Sequence, residues 1–501
     1  MDERNGRFLG VQLEPQARRR RTPLQTQDFL HGTGVSGMGQ RASRIRPRIK
    51  QGLAAIVFAA ALHAEVRLPA ILSDHMVVQA GVPVRLWGWA GPEETVTAHI
   101  GAAAPVVTKA NAAGKWQVFL PKLAAGGPYT ITVNQRAIQD VLAGDVWVAS
   151  GQSNMAFTLA RSDGGPEEAK KAAFPRLRFF KIPNTPADTP QDDVTGTWEA
   201  LTPENAGKYS GVAYHFAKSL HLERKTPMAI IQTAWGGTNC QAWTRREALS
   251  SDANLAEYVG RASKTPQNVA SALWNGMVAP ITLYPVKGFI WYQGEANMRV
   301  PDAGLYRKLF GAMIQDWRTQ WGQGDLPFLW VLLAPFGAPA ADLPLTRESQ
   351  LETLRLANVG FANTMGVGNA KDIHPTNKKT VGERLANAAR RVAYGSATAP
   401  VSPVFRQLTA EGAGLRMWFD NAGAGLKIAG DPEFAFEIAG EDEKYVPADA
   451  KVQGATVLVF APSVPEPVFV RYAYRDIAPD ALYSVVGVPA APVRARLGRP
   501  K

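Results

Sequence analysis

Sulfur chemistry is nearly absent from this chain, which has one cysteine, Cys240, in 501 residues. That excludes an internal disulfide and any thiolate-rich metal site. Long apolar runs are missing too. The uncharged apolar run at residues 53–62 is about half of the roughly 20 residues a bilayer span needs, so no stable membrane anchor is expected. Charge is sparse once the front end is set aside. Residues 1–50 hold eleven Lys/Arg against four Asp/Glu, which leaves +5 of the formal +12 for the body. A body that weakly basic calls for no nucleic-acid partner. What is present is a globular composition, 46% hydrophobic and 20% charged, long enough for about three domains.

The front end reads as an export signal. Arg44, Arg46, Arg48 and Lys50 precede the apolar run, which closes on small residues at Ala64. A basic segment, a short apolar segment and a small residue form a secretory signal. The alternative is a buried core helix. Translation is expected from Met38, with residues 1–37 as an upstream extension, so residues 1–64 are set apart from the mature chain. A disulfide-free exported protein fits a periplasmic or secreted location.

Residues 65–141 show short β-rich runs broken by Gly and Pro, at 84–89, 95–100, 116–120 and 129–133. Strands at that spacing predict a small β-sandwich-like domain. From residue 142 to 397 the pattern alternates. Apolar runs at 146–149, 177–182, 228–232, 288–292, 328–333 and 359–363 are separated by amphipathic segments. Leu305, Leu309, Met313 and Trp317, widened by Tyr306, Phe310 and Ile314, form one helix stripe. This alternation predicts an α/β domain, a parallel sheet flanked by helices. Residues 398–501 return to a β pattern, a second sandwich-like domain.

Ligands of open parallel sheets lie beyond the carboxyl ends of the strands. Ser153, in Ser150-Gly-Gln-Ser-Asn154, follows the first strand and is either a helix N-cap or a nucleophile. A serine nucleophile needs a base. Five histidines follow residue 64, and His215 and His221 lie six apart on different helix faces, which argues against a shared metal site. His374 sits on a loop between the last strand and a helix, followed by Pro375 and preceded by Asp372. It is the best base available. Gly236 and Gly237 offer unobstructed N–H donors after one strand, and Gln293 offers an amide after another. That is the composition of an oxyanion hole, although each is also read as a turn glycine or a satisfied strand-end amide.

At these residues the sequence resembles the bacterial sialate O-acetylesterase family, within the SGNH-type esterases. The matching stretches are Gly144-Asp-Val-Trp-Val-Ala-Ser-Gly-Gln-Ser-Asn-Met155, Trp235-Gly-Gly-Thr238 with Ala242-Trp243, Trp291-Tyr-Gln-Gly-Glu-Ala-Asn297 and Asp372-Ile-His-Pro375, followed by Lys379 and Gly382-Glu-Arg-Leu385. The resemblance spans about residues 65–495. It implies a flavodoxin-like SGNH hydrolase domain between N-terminal and C-terminal β-sandwich-like domains, with no metal or organic cofactor. It also implies Ser153 as nucleophile and His374 as base. Oxyanion donors are then the Ser153 N–H, a Gly236 or Gly237 N–H, and Gln293. Many SGNH-type esterases carry Asp three residues before the histidine, where this chain has Lys371. Asp372, two before, or Glu295 is left to support the imidazole, or the site is a Ser153–His374 dyad.

The implied substrate is an acetylated sugar, either a sialic acid or another acetylated carbohydrate such as acetylxylan. A sialic acid brings a carboxylate, and Arg347, before a helix between the fifth and sixth strands, is a candidate to grip it. The alternative for Arg347 is a surface ion pair with Glu348 or Asp342. Glu295 and Asn297 are the other substrate-binding candidates. The non-enzymatic rival is a glycan-binding protein that stacks sugars on some of its thirteen tryptophans.

Overall fold

The computed structural model describes residues 65–498 apart from 338–340, 430, 431, 433 and 480. The expected extension and signal, residues 1–64, lie outside the described residues. The body opens with β1 Val77–Gln79, β2 Val84–Trp89, β3 Thr95–Ile100, β4 Val106–Lys109, β5 Lys115–Leu120 and β6 Gly126–Val133. Strand β5 buries Trp116, Val118 and Leu120 and exposes the residues between them, the alternation of a strand covered on one face. It pairs antiparallel with β2, Val84 opposite Leu120 and Trp89 opposite Lys115. Strands β4, β3 and β6 form an antiparallel set that continues through β6 into β7, Arg136–Gly151. The front half of β7 pairs with β6, and its back half enters the central sheet. The boundary expected between residues 141 and 142 therefore falls inside one continuous strand.

The central sheet adds β8 Phe174–Lys181, β9 Trp198–Leu201, β10 Met228–Ala234, β11 Gly288–Tyr292, β12 Phe328–Val331 and β13 Val359–Ala362. Its order is β13-β12-β11-β7-β10-β8-β9, and every neighbouring pair is parallel except β8 with β9. From β7 the chain first fills the β10-β8-β9 side of the sheet and then crosses to the other side of β7, at β11. A crevice opens at the carboxyl end of a sheet where the winding reverses in this way.

Helices cover both faces of this mixed sheet, which is why its strands read as nearly unbroken apolar runs. The helices that bear on the site are α1 Ser153–Ala156, α2 Gly211–Arg224, α3 Asp302–Trp321, α4 Leu343–Leu351 and α5 Lys378–Val392. Tyr306, Leu309, Phe310, Met313, Ile314 and Trp317 of α3 pack against Phe289, Trp291, Phe328 and Trp330, while Leu305 lies at the edge of that stripe. On the other face, Val212 and Phe216 of α2 and Val381, Leu385 and Ala389 of α5 cover Trp147, Ala149, Ile290 and Leu329. The two helix backbones meet at Gly382, where a Cβ would stand 2.6 Å from the Val212 carbonyl oxygen. Ser210 Oγ accepts the Ala213 N–H to cap α2, and Asn377 Oδ1 accepts the Thr380 N–H to cap α5.

Beyond α5, strands Val404–Glu411, Gly414–Asp420, Thr456–Phe460 and Asp449–Gln453 form one antiparallel sheet. Val446–Pro447, Phe436–Ala439, Phe469–Tyr472 and Val493–Arg496 form another. Leu415, Met417, Val457 and Val459 of the first share a core with Phe436, Ile438, Val470 and Tyr472 of the second. Trp147, Trp243, Trp291, Trp317 and Trp330 are fully buried, so these five pack the interior and have no face left for a sugar. Among the described residues no helix is long and apolar enough to cross a membrane.

Candidate active site

Strand β7 ends at Gly151, with φ +130°, where a Cβ would lie 2.2 Å from the Tyr292 carbonyl oxygen. Only glycine allows β7 and β11 to run this close at their ends. The Gln152 N–H donates to Tyr292 O at 2.9 Å, and Gln152 Oε1 accepts the Ala296 N–H at 3.2 Å. Gln152, not Ser153, holds the N-cap position of α1. The Ser153 hydroxyl is thereby free for another partner, and it lies 2.8 Å from His374 Nε2.

The loop bearing His374 is shaped by its own side chains. Asn369 Oδ1 accepts the Lys371 N–H, and Asp372 Oδ1 accepts the His374 N–H at 2.8 Å. The same Asp372 Oδ1 lies 3.3 Å from His374 Nδ1, and the Asp372 side chain is 55% exposed. With Nε2 facing the serine and Nδ1 facing the carboxylate, the ring proton belongs on Nδ1 and Nε2 is the free base. Phe157, just after α1, stacks near-parallel on the imidazole with centroids 6.3 Å apart. Ser153, His374 and Asp372 thus come together at the carboxyl end of the sheet.

The glycine loop after β10 flanks the serine. A Cβ on Gly236 would meet Ser153 Cβ at 3.2 Å, so this backbone packs directly on the stem of the Ser153 side chain. The Trp235 N–H ties the loop to Gly151 O at 3.0 Å, and Gly237 takes φ +73°. Among the described residues no hydrogen bond takes the N–H of Ser153, Gly236 or Gly237. Unclaimed donors beside a serine are what a developing oxyanion requires. No group of three His, Cys, Asp or Glu side chains able to hold a metal stands among the described residues.

Four expected site residues are placed differently. Gln293 is fully buried. Its Nε2 donates to Thr238 O at 3.1 Å and Asn297 Oδ1 at 2.8 Å, and its Oε1 accepts from Tyr306 OH at 2.8 Å. Both amide hydrogens are committed to protein, so Gln293 is a brace between segments and offers no N–H to an oxyanion. Asn297 is also fully buried, with Oδ1 accepting from Gln293 and the Cys240 N–H and Nδ2 donating to Gln241 Oε1, so it does not reach a sugar. Glu295 is buried. Its Oε1 accepts from Asn154 Nδ2 at 2.6 Å, which places it behind the serine and leaves Asp372 as the carboxylate at the imidazole. Arg347 is 0% exposed and donates to the carbonyls of Leu333, Arg475 and Asp476, so it pins α4 to neighbouring loops, is enclosed away from a substrate and makes no ion pair with Glu348 or Asp342.

Two residues missing from the expectations belong to the site's surroundings. Asn154, next to the serine, donates to Glu295 and to Ile373 O at 3.0 Å. Lys378 is 0% exposed and donates from Nζ to Asn154 Oδ1 at 2.5 Å, whereas the neighbouring Lys379 is exposed. Burial pulls the Lys378 ammonium down to about 7, against the opposing pull of Glu295 and Asp372. A lysine in the first turn of a helix, where cations are disfavoured, was the sequence signal for it.

Residues 143–391 match the family described as "Carbohydrate esterase, sialic acid-specific acetylesterase". A sialate O-acetylesterase of Pongo abelii is 30% identical over 376 residues, covering 66% of this chain and 71% of the relative. The Homo sapiens sialate O-acetylesterase is 29% identical over the same share of each chain. A crystal structure of a carbohydrate acetylesterase from Xanthomonas citri is 38% identical and superimposes with a TM-score of 0.79, covering 86% of this chain and 99% of that one.

Proposed function

The chain belongs to the sialic acid-specific acetylesterase family of carbohydrate esterases, and from that premise we propose that it is an exported serine esterase removing O-acetyl groups from sialic acids. One observation carries the chemistry: Ser153 Oγ lies 2.8 Å from His374 Nε2, with Asp372 Oδ1 3.3 Å from Nδ1. Ser153 attacks the acetyl carbonyl while His374 takes the hydroxyl proton. The oxyanion is met by the backbone N–H groups of Ser153 and of Gly236 or Gly237. His374 then protonates the departing sugar oxygen, leaving acetyl on Ser153. A water molecule, deprotonated by His374, releases acetate. Asp372 holds the ring proton on Nδ1 throughout.

The strand order supports reading the catalytic unit, residues 142–397, as a flavodoxin-like SGNH hydrolase. Numbered among themselves in chain order, the five strands β10-β7-β11-β12-β13 read 2-1-3-4-5, with β8 and β9, which precede β10 in the chain, added outside it. Residues 65–141 and 398–501 are then its flanking β-sandwich-like domains. The basic and apolar segments of residues 1–64 support export to the periplasm or the medium.

For the substrate, an acidic sugar needs a cation, and Arg347 is not available. Arg161 is exposed and makes no ion pair among the described residues. Its guanidinium lies 4.5 Å from the centroid of the Phe157 ring that stacks on His374. We assign it to the sialate carboxylate. A neutral acetylated carbohydrate is the second reading, favoured by the similarity to the carbohydrate acetylesterase from Xanthomonas citri. Hydrolysis of 9-O-acetylated sialic acid and of acetylated xylo-oligosaccharides, by wild type, Ser153→Ala and Arg161→Ala, separates them. Ser153→Ala should abolish both reactions. Arg161→Ala should lose the acidic substrate selectively, by about 1.5–3 kcal/mol. A preference of wild type for the neutral sugar, or equal loss on both substrates, moves the function to the second reading.

A further inference from the structure

Lys378 opens α5 with its side chain enclosed and its ammonium 4.6 Å from the Phe157 ring centroid and 5.4 Å from that of Tyr292. A buried charge is costly unless it is paired and hydrogen-bonded. Its hydrogen-bond partner is Asn154 Oδ1. On the far side of that amide, Nδ2 donates to Glu295 Oε1 at 2.6 Å and to Ile373 O at 3.0 Å. Glu295 Oε2 is buried with no partner of its own, so this carboxyl depends on the Asn154 contact. The charged groups facing Lys378 are Glu295 after β11, Asp372 on the histidine loop, and Arg161 and Asp163 on the segment after α1.

The order of these groups fixes the amide. Turned over, Asn154 would aim its NH₂ at an ammonium and its oxygen at a carboxylate, so only one orientation is permitted. Asn154 is the chain neighbour of Ser153, and Ile373 that of His374. The amide's bond to Ile373 O therefore fastens the serine turn to the histidine loop one residue away from each reacting group.

We propose that Lys378 and Glu295 are positioning residues that grip Asn154 from its two ends and so set the Ser153–His374 distance. The proposal rests on the esterase reading of those two residues. Neither Lys378 nor Glu295 contacts Ser153 or His374 directly in the structure, and both act through Asn154. Burial works against both charges, raising the Glu295 carboxyl and lowering the Lys378 ammonium, and each is opposed by the other's charge, so the two charged forms depend on each other. With Lys378 gone, Glu295 is stranded in the interior, and the reverse holds for Lys378.

The test uses the full chain and a chromogenic acetate ester, with wild type, Ser153→Ala, Lys378→Met, Glu295→Gln and the double variant. Active wild type and dead Ser153→Ala uphold the esterase reading independently of the clamp. Each single charge variant should lose about 10²-fold in kcat, the cost of a small misplacement of reacting groups. KM should stay within about twofold, because the acetyl group is not touched. The double variant, with neither charge stranded, should be more active than the product of the two single losses. The pH profile adds a second readout. The Lys378 cation is lost as pH rises through about 7, which gives an alkaline limb that Lys378→Met should lack. If Lys378→Met does not fold, Glu295→Gln alone carries the kcat and KM test. Wild-type kcat in the single variants, strictly multiplicative loss in the double, or an unchanged alkaline limb in Lys378→Met overturns the clamp.

Discussion

The carboxylate beside His374 is half in water, which decides how much it can contribute. Asp372 Oδ1 serves two N–H groups at once, the His374 backbone at 2.8 Å and Nδ1 at 3.3 Å. Loss of the orienting carboxylate in a buried triad costs about 10⁴ in turnover. At 55% exposure the charge is screened by solvent. Asp372→Asn keeps an acceptor for the loop, so its loss in kcat should be smaller, about 10- to 10²-fold, while His374→Ala is dead. A full 10⁴ loss would show that the site closes over Asp372 when substrate binds. Gln293 makes the opposite point. Its amide braces Thr238, Asn297 and Tyr306, so Gln293→Ala should lower the melting temperature as well as kcat. A loss of 10²–10³ in kcat with unchanged stability would restore it as an oxyanion donor. The sequence placed Gln293 correctly at a strand end. It could not show the direction of the amide, because the three partners come from three separate segments.

Elements were more legible than contacts. The strands β10, β11 and β12 stand out because burial on both faces makes each a nearly continuous apolar run. The front half of β7 did not, because Arg136 to Asp140 mixes exposed polar positions into the strand and masks its continuity with the apolar half. Arg347 was expected before a helix and near its surface, but it lies inside α4 with its side chain buried. The inward turn of α4 depends on carbonyls at Leu333 and near residue 475, far apart in sequence. The α2–α5 seam carries a pH signature of its own. His215 is buried beside Gly382 with Nε2 unpartnered, and burial lowers its pKa to about 4. Between pH 4 and the unfolded value of about 6.5, the unfolded chain binds the extra proton. Stability from this histidine is therefore fully present above about pH 6.5 and lost as pH falls toward 4, by up to roughly 3 kcal/mol. Thermal melts across that range should show the slope, and His215→Gln should flatten it. An equal slope in the variant would mean other groups drive the acid sensitivity.

At the scale of the whole molecule, the charge distribution separates the front end from the enzyme. Residues 1–50 account for +7 of the formal +12, and residues 51–64 carry none. If export removes residues 1–64, the mature chain begins at Glu65 with a formal charge of +5. The body is anchored almost from that point. Val66 and Leu68 are buried, and Arg67 exchanges backbone hydrogen bonds with Trp89 at 2.8 and 2.9 Å. The Arg67 guanidinium lies 3.5 Å from the centroid of the Trp89 ring and pairs with Asp193 at 2.9 Å. A cut after Ala64 would thus leave a first residue followed directly by packed structure, a start that resists further trimming. N-terminal sequencing and intact mass of protein recovered from the periplasm or medium should give a chain starting at or within a few residues of Glu65. A mature protein that retains residues 53–62 sinks the export reading, and its basic front end would then have to be explained as part of the working enzyme.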